Sequence, residues 1–208
     1  MTAAGHALLV VDLQNEFLHE DGHFPAHPDS RGFLSNISAF VPTFRDAGGL
    51  VVWVISEYGT VDEADVGQGT SDPLLPIGDT HRGRTPCCVP GSHGALLYTD
   101  AEVLVDTQVD LRVTKKWYSS FRSTGLCEVL CERGVDKVIL CGLLSNVCVL
   151  ASARDALHYS FETTVLTDCL GWRRQSSHTR ALDLMSNMDL RLQTAEEAII
   201  RLDSTTTI

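Results

Sequence analysis

The sequence predicts an α/β fold, a three-layer α/β/α sandwich built on a mostly parallel sheet. Three observations predict it. Short apolar runs such as "ALLVVD" (7–12), "LVVWVI" (50–55) and "VDKVILCG" (135–142) fit strands buried on both faces. Segments with apolar residues at helical spacing alternate with these runs, as helices do when they cover a parallel sheet. The chain has 208 residues, enough for one substantial core, so residues 1–208 are expected to form a single domain.

Each element follows in order. Residues 7–12 form the first strand, ending in Asp12. In "FLSNISAFVPTFRDAGG", Leu34, Ile37, Phe40, Val41 and Phe44 recur at helical spacing, and Gly48–Gly49 stops the helix. Residues 50–55 form the second strand. From Ser56 to about Asp106 the chain is rich in Gly, Pro, Asp and Thr and reads as a long excursion of loops and short helices. An excursion of that length usually has a task, such as covering a site. "LRVTKK" (111–116) is a third strand, and "TGLCEVLCERG" (124–134) a helix closed by Gly134. The fourth strand, 135–142, is followed by a helix from about Val147 to Tyr159. "ETTVLTD" (162–168) is the fifth strand, "SSHTRALDLMSN" (176–187) a helix and "DLRLQT" (189–194) an edge strand.

Composition narrows the function classes. The formal net charge is −11, which argues against nucleic acid or an anionic membrane as partner. No apolar run approaches the ~20 residues of a membrane span. "ALLVV" has no basic region before it and no small-residue cleavage site after it, so a cytoplasmic protein is expected. The seven cysteines then read as reduced thiols, with Cys87–Cys88 in loop packing and Cys127 and Cys131 on a helix.

In open α/β sheets, ligands bind beyond the carboxyl ends of the strands. Asp12, Lys115, Cys148 and Asp168 all fall at or just after strand ends. Cys148 sits where a helix begins, and the unpaired N–H groups there stabilise a thiolate. A lysine ammonium would add to that, and a carboxylate could take the thiol proton and return it to a leaving group. Each residue also has a plain reading: a small core cysteine, a strand-end cap, a solvated lysine of a "KK" pair. Spacing alone leaves the two readings open.

Three segments carry a resemblance. "LLVVDLQNEF" (8–17) resembles the opening D-x-Q-x-[DE]-F motif of the isochorismatase-like cysteine hydrolases, which include nicotinamidases, N-carbamoylsarcosine amidases, ureidoacrylate amidases and isochorismatases. "TKKWYSSF" is similar to the K-x-x-Y-S-x-F segment of the isochorismatase branch, which selects Lys115 over Lys116. "CGLLSNVCVLASARDA" resembles the G-x-x-[TS]-x-x-C-V-x-x-[TS]-A-R-D-A signature. The resemblance implies a Rossmann-like fold, a catalytic triad of Asp12, Lys115 and Cys148, and a cis peptide at Leu143–Leu144. It further implies an oxyanion hole made by the N–H groups of Leu144 and Cys148.

The resemblance also implies homodimers or homotetramers acting on a small molecule. The apolar-rich "AEEAIIRLD" (195–203) is read in the same sense, as a surface for a second copy. Nicotinamidases of the family carry a D-x-H…H metal site after the second strand. The corresponding "VISEYGTVDEADV" holds no His, and His81 and His93 lie farther on, so no metal and no cofactor are expected. Cys148 favours acyl chemistry on a C–N bond, whereas the "YSSF" segment leans toward vinyl-ether hydrolysis, and a non-catalytic binding subunit is the third reading.

Substrate-binding candidates complete the expectation. Gln14 is read as a hydrogen-bonding support or a turn contact. Phe17, Trp53, Tyr58, Trp117 and Phe121 are candidate mouth aromatics, of which about half should belong to the core. Arg82 and Arg84 are candidates to clamp a substrate carboxylate. Asp168 is read as a cap, and Arg154 and Asp155 as structural ion-pair partners.

Overall fold

The computed structural model describes residues 3–30, 32–58 and 87–204. Its six strands are β1 (His6–Val11), β2 (Leu50–Ser56), β3 (Leu111–Lys115), β4 (Lys137–Gly142), β5 (Glu162–Leu170) and β6 (Arg191–Gln193). They form one sheet in the order β3-β2-β1-β4-β5-β6, with every neighbouring pair parallel. The helices of the described residues are α1 (Asn15–Leu18), α2 (Gly32–Asp46), α3 (Thr99–Glu102), α4 (Leu126–Glu132), α5 (Leu150–His158), α6 (Gln175–Ser186) and α7 (Ala195–Ser204).

Side chains alternate across a strand, and here each face of the sheet acquires its own core. Leu8, Val10, Val51, Trp53, Ile139 and Cys141 face α2 and α7, meeting Phe33, Ile37, Phe40, Val41 and Phe44. Ala7, Leu9, Val11, Val52, Val54, Val138 and Leu140 face the other side, where Leu126, Leu130, Ala153, Ala156 and Met185 cover them. Both faces are apolar, which is why the strands read as unbroken runs. The Gly48–Gly49 pair ends α2 as expected. Gly48 has φ +85, and the Gly48 and Gly49 N–H groups donate back to Arg45 and Phe44 carbonyls.

Several boundaries differ from expectation. The last strand covers only 191–193 rather than 189–194. β5 runs on to Leu170, because the pairing shifts between Leu140 and Gly142 and then resumes at Gly142–Leu170. The segment 195–203 is helical, and Ala198 and Leu202 pack into the same core as α2, so those residues are covered within the chain. Within the excursion, a 3-10 turn at His93–Ala95 and α3 lie among the described residues.

Strand order reverses direction between β1 and β4, the position where open α/β sheets leave a crevice. Gly142 still pairs with Val11 at this point, in an approach too close for any side chain. It has φ +107, and a Cβ at that position would lie 2.1 Å from the Val11 carbonyl oxygen. Leu143 N–H then donates to that same oxygen at 2.9 Å.

Candidate active site

Asp12 leaves β1 in a left-handed conformation, φ +56, with its N–H bonded to Val54 O. Its side chain is turned inward and fully buried. Lys115 ends β3, a strand whose other side chains are half-buried or exposed, and it too is fully buried. An isolated ammonium would be costly to bury. Here Nζ donates to Asp12 Oδ2 at 3.0 Å and to Ser56 Oγ at 2.6 Å, and lies 3.4 Å from Cys148 Sγ. Of the "KK" pair, Lys115 points in and Lys116 out.

Cys148 lies in a π-helical turn, Ser145–Val149, that runs directly into α5. The expected helix start at Val147 is therefore two residues late. The peptide between Leu143 and Leu144 is cis. Leu144 O collects the N–H groups of Val147 at 3.0 Å and Val149 at 3.3 Å, which closes the turn. Ser145 is buried beneath it, with its N–H on Gly171 O and its hydroxyl 3.0 Å from His178 Nδ1. The thiol is buried at the centre of these contacts.

The electrostatics of the three groups are opposed. Burial pushes the Cys148 thiol up to about 12, helped by the Asp12 carboxylate and resisted by Lys115. The resting sulfur is therefore a thiol at neutral pH. Burial would lower the pKa of Lys115, but Asp12 and Cys148 outweigh it and the net shift is upward. Lys115 is thus held more firmly in its charged form, while burial makes the Cys148 thiol reluctant to lose its proton without help.

Two side chains fix this cluster. Gln14 is fully buried, and its amide clamps Ser56 from both sides: Nε2 donates to Ser56 O at 2.8 Å, and Oε1 accepts from Ser56 N at 2.8 Å. Nε2 also donates to Ala95 O at 2.7 Å. Ser56 Oγ donates to Asp12 Oδ1 at 2.8 Å, and lies 2.9 Å from the Tyr58 hydroxyl. Tyr58 OH stands 3.7 Å from Cys148 Sγ. The sequence reading missed Ser56, since a serine at a strand end carries no signal of its own.

A second buried carboxylate also escaped the reading. Glu16 Oε1 accepts from His23 N at 2.9 Å and lies 2.8 Å from His23 Nδ1, while Oε2 accepts from Cys88 N at 3.2 Å. Its position within "DLQNEF" was the available sign.

The other candidates divide. Phe17 and Trp53 are core residues on the α2 face rather than mouth aromatics, and Trp53 Nε1 is spent on Asp110 Oδ2 at 2.8 Å. Phe121 is also core, stacked near Phe161 and Tyr159 on the opposite face. Trp117 is buried, with the Arg122 guanidinium 4.0 Å over its ring. Tyr58 is the aromatic that reaches the sulfur, and Tyr118 meets it edge-on at 6.2 Å. Asp168 Oδ1 accepts from Ala195 N at the start of α7, so it is a cap. Arg82, Arg84 and His81 lie outside the described residues. Among the described residues no group of three His, Cys, Asp or Glu is arranged to hold a metal, and no helix is long and apolar enough to cross a membrane.

The comparisons agree with this architecture. The Isochorismatase domain family model matches residues 6–197. The chain is 27% identical over 192 residues to a protein of Arabidopsis thaliana named a probable inactive nicotinamidase, covering 92% of this chain and 93% of that one. It is 30% identical over 179 residues to the ureidoacrylate amidohydrolase RutB of Enterobacter sp. strain 638, covering 78% and 73%. Among solved structures, N-carbamoylsarcosine amidase from Thermoplasma acidophilum superposes with a TM-score of 0.70 at 26% identity, covering 94% and 97%. An isochorismatase-like hydrolase from Alkaliphilus metalliredigens shares the fold, with a TM-score of 0.78 at 23% identity over 94% and 98%. With a domain match that runs from β1 into α7, the chain belongs to the isochorismatase family of hydrolases.

Proposed function

We propose that the protein is a metal-independent cysteine hydrolase that cleaves an amide or carbamoyl C–N bond of a small molecule through a thioester. The observation that carries this reading is the buried contact of Lys115 Nζ with both Asp12 Oδ2, at 3.0 Å, and Cys148 Sγ, at 3.4 Å. It supplies a base, a nucleophile and a cation that steadies the thiolate formed when the proton moves. The names of two relatives, a ureidoacrylate amidohydrolase and an N-carbamoylsarcosine amidase, support C–N chemistry.

The reaction then runs in two halves. Asp12 takes the Cys148 proton, and sulfur attacks the substrate carbonyl. The N–H groups of Leu144 and Cys148 receive the oxyanion, each donor being worth about 3 kcal/mol in the transition state. Asp12 returns the proton to the departing nitrogen, leaving a thioester. Water, deprotonated by Asp12, attacks the thioester carbonyl. The acid leaves and the thiol regains its proton.

The test is a panel of small amides and carbamoyl compounds, with isochorismate alongside, read by released ammonia or pyruvate. Ammonia release that Cys148→Ala abolishes is the expected result. Pyruvate release from isochorismate that survives Cys148→Ala would replace this reading with vinyl-ether hydrolysis. The Arabidopsis relative's name gives weight to a panel that also scores the absence of turnover.

A further inference from the structure

Four adjacent strands begin on an ionisable residue: His6 of β1, Lys137 of β4, Glu162 of β5 and Arg191 of β6. The registers bring them together. His6 pairs with Lys137, Lys137 with Glu162, and Arg191 with Thr164, two residues along β5 from Glu162. Paired residues, and residues two apart on a strand, point to the same face of a sheet. All four side chains therefore share the face of Leu8, Ile139 and Leu166, which α7 covers. Arg201 of α7 joins them, and the five residues line one cavity of about 40 Å³, floored by buried Ala198 and Leu202. That is room for roughly three waters, the bulk of a small oxyanion. The cavity lies at the amino ends of the strands, whereas Asp12, Lys115 and Cys148 lie at the carboxyl ends.

The charges around it are the reverse of the chain's. The whole sequence has 27 acidic and 16 basic residues, yet here Lys137, Arg191 and Arg201 stand against Glu162. Glu162 is bonded to Arg191 Nη1, one arm of a fork with five N–H donors. Lys137 makes no ion pair among the described residues. Surface charges that serve solubility intersperse both signs and need no cavity between them.

His6 is set for the same task. Its Nδ1 lies 3.1 Å from Ala4 O, which can only accept, so Nδ1 carries the proton and Nε2 is left to titrate. Burial chiefly, with the Lys137 charge adding to it, lowers the His6 pKa, against the Ala4 carbonyl and Asp136, which raise it. An anion in the cavity would offset the Lys137 charge and gain a further N–H donor. We propose that this cavity is a binding site for a small tetrahedral oxyanion, a phosphate or sulfate group, held by Lys137, Arg191 and His6.

The test reads the His6 imidazole by NMR in the full chain, its resonance assigned by its absence from His6→Gln. Sulfate is the probe, because it stays a dianion between about pH 5 and 8, where histidine titrates. Chloride at equal ionic strength is the control. Sulfate should shift the resonance saturably and raise the His6 pKa, since a nearby anion favours the charged ring. Lys137→Gln and Arg191→Gln should each weaken sulfate about tenfold or more, the worth of a charge-assisted hydrogen bond. Lys137→Gln breaks no ion pair and Arg191→Gln only an exposed one, so both should fold. Glu162→Gln removes the competing carboxylate and should tighten binding about threefold or more, a gain that misfolding does not produce. Lys116→Gln, at the other end of the sheet, should leave the affinity unchanged. Glycerol phosphate separates two sources of the same chemistry: competition with sulfate supports a site for the end of an organic phosphate, and competition by inorganic phosphate alone supports a site for the free ion. A chloride response equal to that of sulfate overturns the proposal. So does Lys137→Gln that binds sulfate as tightly as wild type. Neither result depends on the thioester chemistry.

Discussion

Replacing Asp12 by Asn keeps the shape of the site and removes one charge. Lys115 is then a fully buried ammonium with hydroxyl and thiol neighbours and no carboxylate. Breaking a buried pair in this way costs about 3–5 kcal/mol of stability. The pH dependence identifies the cause. In the wild type, burial alone would lower the folded pKa of Lys115, but the Asp12 carboxylate, more than any other group, raises it. The net shift is upward, so the contribution of Lys115 is fully present below the unfolded value of ~10.4 and is lost as pH rises through the higher folded value. In Asp12→Asn the group that raises it most is gone, so burial, the largest cause of all, outweighs what Cys148 still contributes and the folded pKa drops below the unfolded one. The unfolded chain then binds the extra proton, so stability rises with pH by up to about 1.4 kcal/mol per unit between the two values. Urea melts of both proteins at pH 7, 8 and 9 check this. The difference between them should shrink steadily as pH rises. A difference below about 1 kcal/mol at pH 7, or one that does not change with pH, would refute the claim that Asp12 holds the charge on Lys115.

Four further outcomes are expected. Cys148→Ala should lower amide turnover at least ~1000-fold with an unchanged melt, while Ala at Cys127 or Cys131, near the surface, leaves the rate intact. Gly142→Ala should cost about 2–4 kcal/mol in a denaturant titration, since its Cβ would meet Val11 O at 2.1 Å at φ +107. Asp110 accepts two bonds from Arg45, at 2.6 and 2.9 Å, and one from Trp53; burial would raise its pKa, but these donors and the Asp106 N–H bring it below the ordinary range. Asp110→Ala should therefore cost about 3 kcal/mol at pH 7, and this contribution in the wild type should fade as pH falls below ~4, visible in acid melts. Prolonged chelation should leave turnover unchanged, measured against elemental analysis of the same sample.

The sheet was legible because both of its faces are buried, so the strands stand out as unbroken apolar runs. The meeting of Asp12, Lys115 and Cys148 was legible for a different reason. Three chemically distinct residues fell at strand ends, and their surrounding motifs resembled one family. What stayed hidden depends on partners distant in the chain. Ser56 matters only because Gln14 and Lys115, 42 and 59 residues away, converge on it. Phe121 and Trp53 could not be told from mouth aromatics, since a ring at a strand end or loop reads the same whether it faces the core or the crevice. The π-helical turn around Cys148 differs from an α-helical start by one residue of hydrogen-bond spacing, and apolar periodicity does not record that difference.

Gln14, Asn15 and Glu16 each grip a different part of the chain between Cys88 and Ala95. Gln14 holds Ala95 O, Asn15 holds His93 O, and Glu16 holds Cys88 N, while Tyr58 N donates to Cys88 O at 3.1 Å. The two ends that bracket residues 59–86 are thus fastened to each other and to the end of β1. A stretch whose ends already meet can be lengthened or shortened for only about 0.6 kcal/mol per doubling. Residues 59–86 therefore form an exchangeable cassette. A graft of another sequence between Tyr58 and Cys87 should leave Asp12, Lys115 and Cys148 in register, and is the natural unit of engineering.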